Sequence, residues 1–442
     1  MTHSSSNVSN PSSPSVSSST AAQHCVAVRE GRFSLQQQPH HFVGTNLWCG
    51  PYLGSSGAQG NRDRLKRELD RLAELGVSNV RLLGASEDSP LKSAVRPAFH
   101  NAEQQWNEEL LVGLDFTLAE LGSRGLRAVL YLTNFWEWSG GMMTYLSWTN
   151  GGRYVDMDDS ADPWRAFADF AAQFYETDEA VARYHAAVRR LVLRTNSLTG
   201  KLYKDDPTIF AWQLCNEPRP GATDGVVDRS TEPYTRWIAD TARLIKALDP
   251  HHLVSTGSEG LVGSIGRGAD YLRAHDVPEV DYLTAHIWPQ NWGWVTPGDL
   301  EGTFAIAEQR TLEYLDAHRA FATQLGRPLV IEEFGFPRDG GRFDPAASTT
   351  YRDRFYELIL RAVAKDVSAG GPLAGSNFWA WGGEGRARHA DHRLRPGETD
   401  YLGDPPHEPQ GWYSVFDTDH STLELISAHT RRGGSGLRTG PA

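Results

Sequence analysis

The chain has only three cysteines, Cys25, Cys49 and Cys215, too few and too scattered for a disulfide framework or a zinc site. It contains no apolar run of about 18 residues or more, so none of it reads as a membrane-spanning helix. Positive charge is in deficit: 43 Lys and Arg stand against 55 Asp and Glu, a net charge of −12. That balance excludes the basic face needed to neutralise nucleic-acid phosphates or to dock on an anionic membrane. The start lacks the basic and apolar segments of a secretory signal, which predicts a cytoplasmic address, or a secreted one if the natural start lies elsewhere. Residues 1–25 are mostly Ser, Asn, Pro, Thr and Ala and cannot offset the entropy of ordering, so they are expected to be a disordered tail. Residues 433–442 read as a flexible end, which leaves 26–432 as one catalytic domain.

Tryptophan, by contrast, is abundant: there are 14. An indole is a rigid apolar plate with one polar handle. It suits the face of a sugar ring as well as it suits a protein core, and composition alone does not choose between them.

From residue 41 onward, short β-branched or aromatic runs alternate with helical patterns. Strands are expected at 42–46, 77–83, 128–134, 209–216, 253–257, 282–287, 329–334 and 377–381. Helices are expected at 62–75, 108–122, 179–194, 233–247, 307–325 and 350–367, with a shorter one at best in 263–275. Leu65, Leu69, Leu72 and Leu75, for example, share one helical face that ends at Gly76. The spacing is too wide for hairpins and fits parallel strands with helical crossovers. Eight such units read as a (β/α)8 TIM barrel with long βα loops. A doubly wound open sheet would show a Gly-rich phosphate loop after its first strand; here that strand runs into Leu47-Trp48-Cys49-Gly50-Pro51. The long stretches 135–177 and 382–411 would leave the strands' C-terminal ends, where barrels build active sites.

The residues at those ends are not packing residues. They include Arg81, Asn134-Phe135-Trp136, Asn216-Glu217-Pro218, His286-Ile287-Trp288 and Glu332-Glu333-Phe334-Gly335, followed by Trp379 and Trp381. Two carboxylates on strands four and seven of one ring suggest acid/base or nucleophilic work on a glycosidic bond. Oxygens about 5–5.5 Å apart would mean retention, and about 6.5–9.5 Å inversion.

With these residues in view, the chain resembles glycoside hydrolase family 5. The matching pieces are Gly44-Thr45-Asn46-Leu47-Trp48, Asn79-Val80-Arg81, Asn216-Glu217-Pro218, His286-Ile287-Trp288, Glu332-Glu333-Phe334-Gly335 and Phe378-Trp379. The segments NFWEWSGGMMTYLSW (134–148), WQLCNEPRPG (212–221), DYLTAHIWPQNWGW (281–294) and NFWAWGGEGR (377–386) resemble its β-mannan-active branch. The resemblance implies Glu217 as general acid and base, Glu333 as nucleophile and Asn216 as partner of the sugar 2-hydroxyl. It places Arg81 under the nucleophile, His286 between the carboxylates, and Trp379 and Trp136 at the sugar. Trp288 stands where much of the wider family has a Tyr whose hydroxyl contacts the nucleophile; an indole offers only an N–H. Glu217 would need its pKa raised by burial and by the charge of Glu333.

Other residues invite blander readings. Glu332 suits a structural ion pair, Trp138 a closure of the barrel mouth, Trp292 and Trp294 loop packing, and Trp381 either core or cleft. His389, Asp391 and His392 crowd one loop without a metal-ligand spacing, and Gly257-Ser258-Glu259-Gly260 is not a nucleophile elbow. No metal or cofactor is expected, and the protein is read as a monomer acting on β-mannan or manno-oligosaccharides. Endo-β-1,4-mannanase stands first, narrowly. An exo-acting β-mannosidase, favoured by the long loops, is the alternative. A β-1,4-glucanase and a non-catalytic carbohydrate-binding barrel come behind.

Overall fold

The computed structural model describes residues 24–159, 161 and 163–433; of the tails expected at 1–25 and 433–442, residues 1–23 and 434–442 lie outside the described residues, and Gly433 ends the last helix instead. Cys25, placed by its neighbours in the N-terminal tail, is in fact buried, with its Sγ 3.5 Å from His252 Nε2.

Three short antiparallel strands, β1 (Ala27–Arg29), β2 (Arg32–Leu35) and β3 (Gln38–Pro39), precede the barrel. Phe33 on β2 meets Phe210 and Tyr282 edge-on, with centroids 5.1 and 5.4 Å away, and joins an apolar cluster that includes Phe42, Val129 and Val330.

The barrel strands are β4 (Phe42–Asn46), β5 (Asn79–Leu83), β6 (Arg127–Tyr131), β7 (Ile209–Gln213), β8 (Leu253–Ser255), β9 (Leu283–Ile287), β10 (Leu329–Phe334) and β11 (Leu373–Phe378). All pair in parallel, in the order β8-β7-β6-β5-β4-β11-β10-β9. The remaining seam is stitched by backbone bonds from Asp281 N to Val254 O (2.8 Å) and from His286 N to Glu259 O (3.0 Å). The barrel architecture is therefore as the sequence predicts. Helices start on side-chain caps where these are available: Asn61, Asn107 and Asp299 each accept from a backbone N–H three residues on.

The differences have physical causes. The eighth barrel strand lies at Leu373–Phe378 rather than 377–381. Its sequence, LAGSNF, lacks the β-branched residues that mark a strand, and Gly375 is bare because a Cβ there would approach the Phe42 ring to 2.5 Å. Trp379 thus lies just past the strand, while Trp381 belongs to a short strand β12 (Trp381–Gly383) paired with β13 (Val415–Phe416). Arg81 sits mid-strand in β5 instead of at its end. The helix expected at 233–247 begins at Asp224 and carries Pro233 inside it; proline suggests a first turn, and here it misleads. The 135–177 stretch is no bare loop, since it holds helices Gly141–Thr149 and Pro163–Ala171. A last helix, His420–Gly433, follows β13.

Candidate active site

Glu333 projects from β10 and Glu217 from the segment just after β7; both are buried. Glu217 has φ +51°, a left-handed conformation that costs a non-glycine residue energy and often marks a functional site. Its N–H donates to Gly257 O at 2.9 Å. An isolated parallel bridge joins Asn134 to Asn216 one residue earlier.

His286 on β9 stands between the carboxylates: its Nδ1 is 2.6 Å from Glu217 Oε1 and 3.2 Å from Glu333 Oε2. One oxygen of each Glu and a His286 nitrogen all lie within 4.8 Å of one another. Such a trio could grip a cation. However, the imidazole already faces both carboxylates, and the Arg81 guanidinium holds the other oxygen of Glu333, so the protein supplies the positive charge itself.

Arg81 is fully buried and donates in four directions. Nε reaches Gln213 Oε1 (2.8 Å) and Nη2 reaches Asn216 Oδ1 (2.7 Å), while Nη1 serves Asn46 Oδ1 (3.1 Å) and Glu333. The planar fork of Arg suits this task and the single ammonium of Lys does not. Asn216 in turn donates to Asn134 Oδ1 at 3.1 Å, which fixes the orientation of its amide. Trp136 Nε1 donates to Glu217 Oε2 at 2.5 Å.

Burial pushes the Glu217 carboxyl up, but His286, Arg219 and the Trp136 N–H outweigh it and bring the pKa down to about 2. Burial pushes His286 down, and the two carboxylates more than reverse this, to about 10. The direction is thus opposite to the raised Glu217 expected from burial and the charge of Glu333. The imidazole between the two acids takes the proton, although His286 Nε2 meets no acceptor among the described residues.

Trp288 contributes no polar contact to Glu333. Its ring packs edge-on against Trp379 (5.7 Å) and Tyr413 (5.0 Å), and Gly335 is bare because a Cβ would come 2.5 Å from the indole. Arg81 and His286 orient Glu333, where much of the wider family is expected to use a tyrosine hydroxyl. Trp379 is buried, lines the cleft, and has an indole N–H without an acceptor among the described residues.

The cleft over these groups has a volume of about 630 Å³. Among the residues anticipated from the sequence, Asn216, Glu217, Glu333, Trp136, Trp288 and Trp379 line it; Arg81 and His286 lie beneath. Trp138, Trp292 and Trp294 line it too, whereas Trp381 is core, donating to Glu68 Oε2 at 2.8 Å. Glu332 is buried away from the cleft, 3.8 Å from Arg81 Nε, with Gln213 donating to it. His389, Asp391 and His392 disperse to Glu398, Arg395 and the Gln410 carbonyl.

Of the wall residues that sequence reasoning misses, four are titratable. Arg219 and Glu259 form a buried pair with contacts of 2.6 and 3.1 Å, and His407 and Glu408 enter from the 382–411 stretch. Arg219 could have been found from its place two residues beyond Glu217. Glu259 lies in a Gly-Ser-Glu-Gly segment that carries no sequence signal for a sugar site. It stands just beyond β8, where any charged residue faces the barrel mouth.

A family model described as GH family 5 beta-mannosidase-like matches residues 23–433. The chain belongs to glycoside hydrolase family 5. A putative mannan endo-1,4-beta-mannosidase 9 of Oryza sativa subsp. japonica is 31% identical over 358 residues, covering 79% of each chain. The family 5 mannosidase of Rhizomucor miehei superposes with TM-score 0.84 at 31% identity, covering 93% of this chain and 97% of that one. The endo-1,4-beta-mannanase of the same fungus, at 22% identity and TM-score 0.66 over 92% of this chain and 99% of its own, shares the fold. Family membership makes the chain a glycosidase of the mannosidase and mannanase group and agrees with the barrel and the paired carboxylates.

Proposed function

We propose that this family 5 glycosidase cleaves β-1,4-mannosidic bonds with retention, releasing mannose from the ends of manno-oligosaccharides. The observation that carries the retaining reading is the meeting of Glu217, His286 and Glu333, with one oxygen of each carboxylate within 4.8 Å of the other; carboxyl groups brought this near favour retention, which uses about 5–5.5 Å, over inversion, which uses about 6.5–9.5 Å.

In this reading Glu333, held by Arg81, attacks the anomeric carbon as the glycosidic bond breaks. Glu217 gives its proton to the leaving oxygen. That proton is shared with His286 across the 2.6 Å contact and passes to Glu217 as the bound sugar shields the carboxylate from water. Loss of the Glu333 charge in the glycosyl ester leaves Glu217 free to act as base. Water then adds from the face the leaving group vacated, and the sugar keeps its β configuration. Asn216, positioned by Arg81 and Asn134, is placed to hold the 2-hydroxyl.

Chain-end action is favoured over the endo mode that sequence motifs place first. Pro405, His407 and Glu408 line the cleft. The His407 ring lies parallel to Trp138, at 3° and 6.4 Å. The segment is pinned by Asp404, which accepts from the N–H groups of Gly411 and Tyr413 at 2.7 Å each. A fixed wall beside the reacting pair leaves less room for a polymer running past both carboxylates. The beta-mannosidase-like family model and the superposition on the Rhizomucor mannosidase lean towards a mannosidase, while the rice relative's name favours an endo enzyme. Early products from mannohexaose decide: mannose alone is expected, and mixed shorter oligomers would establish endo cleavage. Parallel assays on mannan and carboxymethylcellulose test the sugar, with faster glucan cleavage overturning the mannan assignment.

A further inference from the structure

Beyond Trp136 the cleft continues along a ladder of flat groups. Trp136 stacks on Phe167 at 6.1 Å and 19°. On this side the Arg219 guanidinium lies 5.1 Å from the Trp136 ring and 5.8 Å from the Trp164 ring. Glu259 grips Arg219 with two contacts, so the cation is fixed in position. Trp164 ends the ladder: it lines the cleft yet remains 40% exposed, whereas Trp138, Trp288 and Trp379 are buried and Trp136, Trp292 and Trp294 half-buried. Arg165, 5.5 Å from the same ring, keeps its surroundings polar.

Direction along the cleft follows from the chemistry. The general acid must face the leaving oxygen, so the departing part of the substrate lies on the side of Glu217. Trp136 donates to Glu217 and therefore borders the first leaving sugar; Trp164, one guanidinium farther out, borders the second. An exposed indole presents a flat apolar face with a polar edge, which matches the C–H face of a pyranose ringed by hydroxyls.

We propose that Trp164 is the platform of a second leaving-group subsite, taking the mannosyl unit two positions beyond the scissile bond, and that it makes mannotriose a better substrate than mannobiose. The inference rests on the mannosidase reading above and names its substrate length.

The test is the ratio of kcat/KM on mannotriose to that on mannobiose, measured in the wild type, W164A and W164F. W164A is expected to lower the ratio roughly threefold to tenfold, the scale of one aromatic contact, and W164F to restore most of it. Should W164A prove unstable, W164Q removes the π face in its place. A ratio unchanged by the loss of the ring, or equal losses on both sugars, overturns the subsite while leaving the functional reading intact. Failure of the wild type to cleave either sugar overturns both.

Discussion

The His286 imidazole bridges Glu217 and Glu333, at 2.6 Å from one carboxylate and 3.2 Å from the other. It converts two acids that would repel each other into a pair sharing one cation, and this governs how the site responds to pH and to mutation.

The two acids differ in role, and mutation should separate them. Glu217→Ala is expected to lower kcat/KM on manno-oligosaccharides by about 10²–10⁴, the worth of a general acid. An aryl mannoside with an acidic phenol should suffer far less, because its leaving group needs no proton. Glu333→Ala should abolish turnover on both. Equal losses on the two substrate types in the Glu217 variant would remove the acid assignment.

The triad also shapes stability. His286 is raised from 6.5 to about 10 on folding, so its contribution is complete below pH 6.5 and is lost as pH climbs through about 10. Glu217 is lowered from 4.5 to about 2, so its contribution is present above pH 4.5 and disappears as pH falls through about 2. The two overlap between pH 4.5 and 6.5. Thermal unfolding of the wild type and of His286→Gln should show the largest gap in Tm there, narrowing towards both extremes; a gap that does not vary with pH would contradict the charged bridge.

Arg81→Met should cost about 3–5 kcal/mol, since it removes one of two buried cations facing Glu333, leaving that carboxylate only the imidazole it shares with Glu217, and strands the oxygens of Gln213, Asn216 and Asn46. Urea unfolding measures this. Arg81→Lys should recover part of the stability but little of the activity, because one ammonium cannot reach Glu333, Asn216, Asn46 and Gln213 together.

Gly335→Ala places a methyl 2.5 Å from the Trp288 ring and 3.1 Å from Tyr413. Overpacking of this kind costs about 1–3 kcal/mol, and moving Trp288 also disturbs Trp379. A lower Tm together with reduced kcat/KM is expected, and a variant indistinguishable from the wild type in both would show that the contact relaxes without effect.

If the 405–408 wall confines the substrate, the double variant His407→Ala, Glu408→Ala should increase the fraction of internal cleavage products from mannohexaose. The product ratio by chromatography is the measure; a ratio identical to wild type would locate the confinement elsewhere.

What the amino-acid order settles alone is local or periodic. Alternating apolar runs and helical faces specify eight βα units, and the Asn-Glu-Pro and Glu-Glu-Phe-Gly segments mark the two carboxylates, because these patterns depend on neighbours within a few positions. The eighth strand escapes that reading: its Gly375 is dictated by Phe42, more than 300 positions away in the chain. The protonation of the His286 bridge, the Arg219–Glu259 pair and the His407–Glu408 wall escape it likewise. Each depends on burial and on distances between groups from separate strands and loops, and electrostatic interaction is set by those distances and by the exclusion of water, neither of which exists until the barrel has closed.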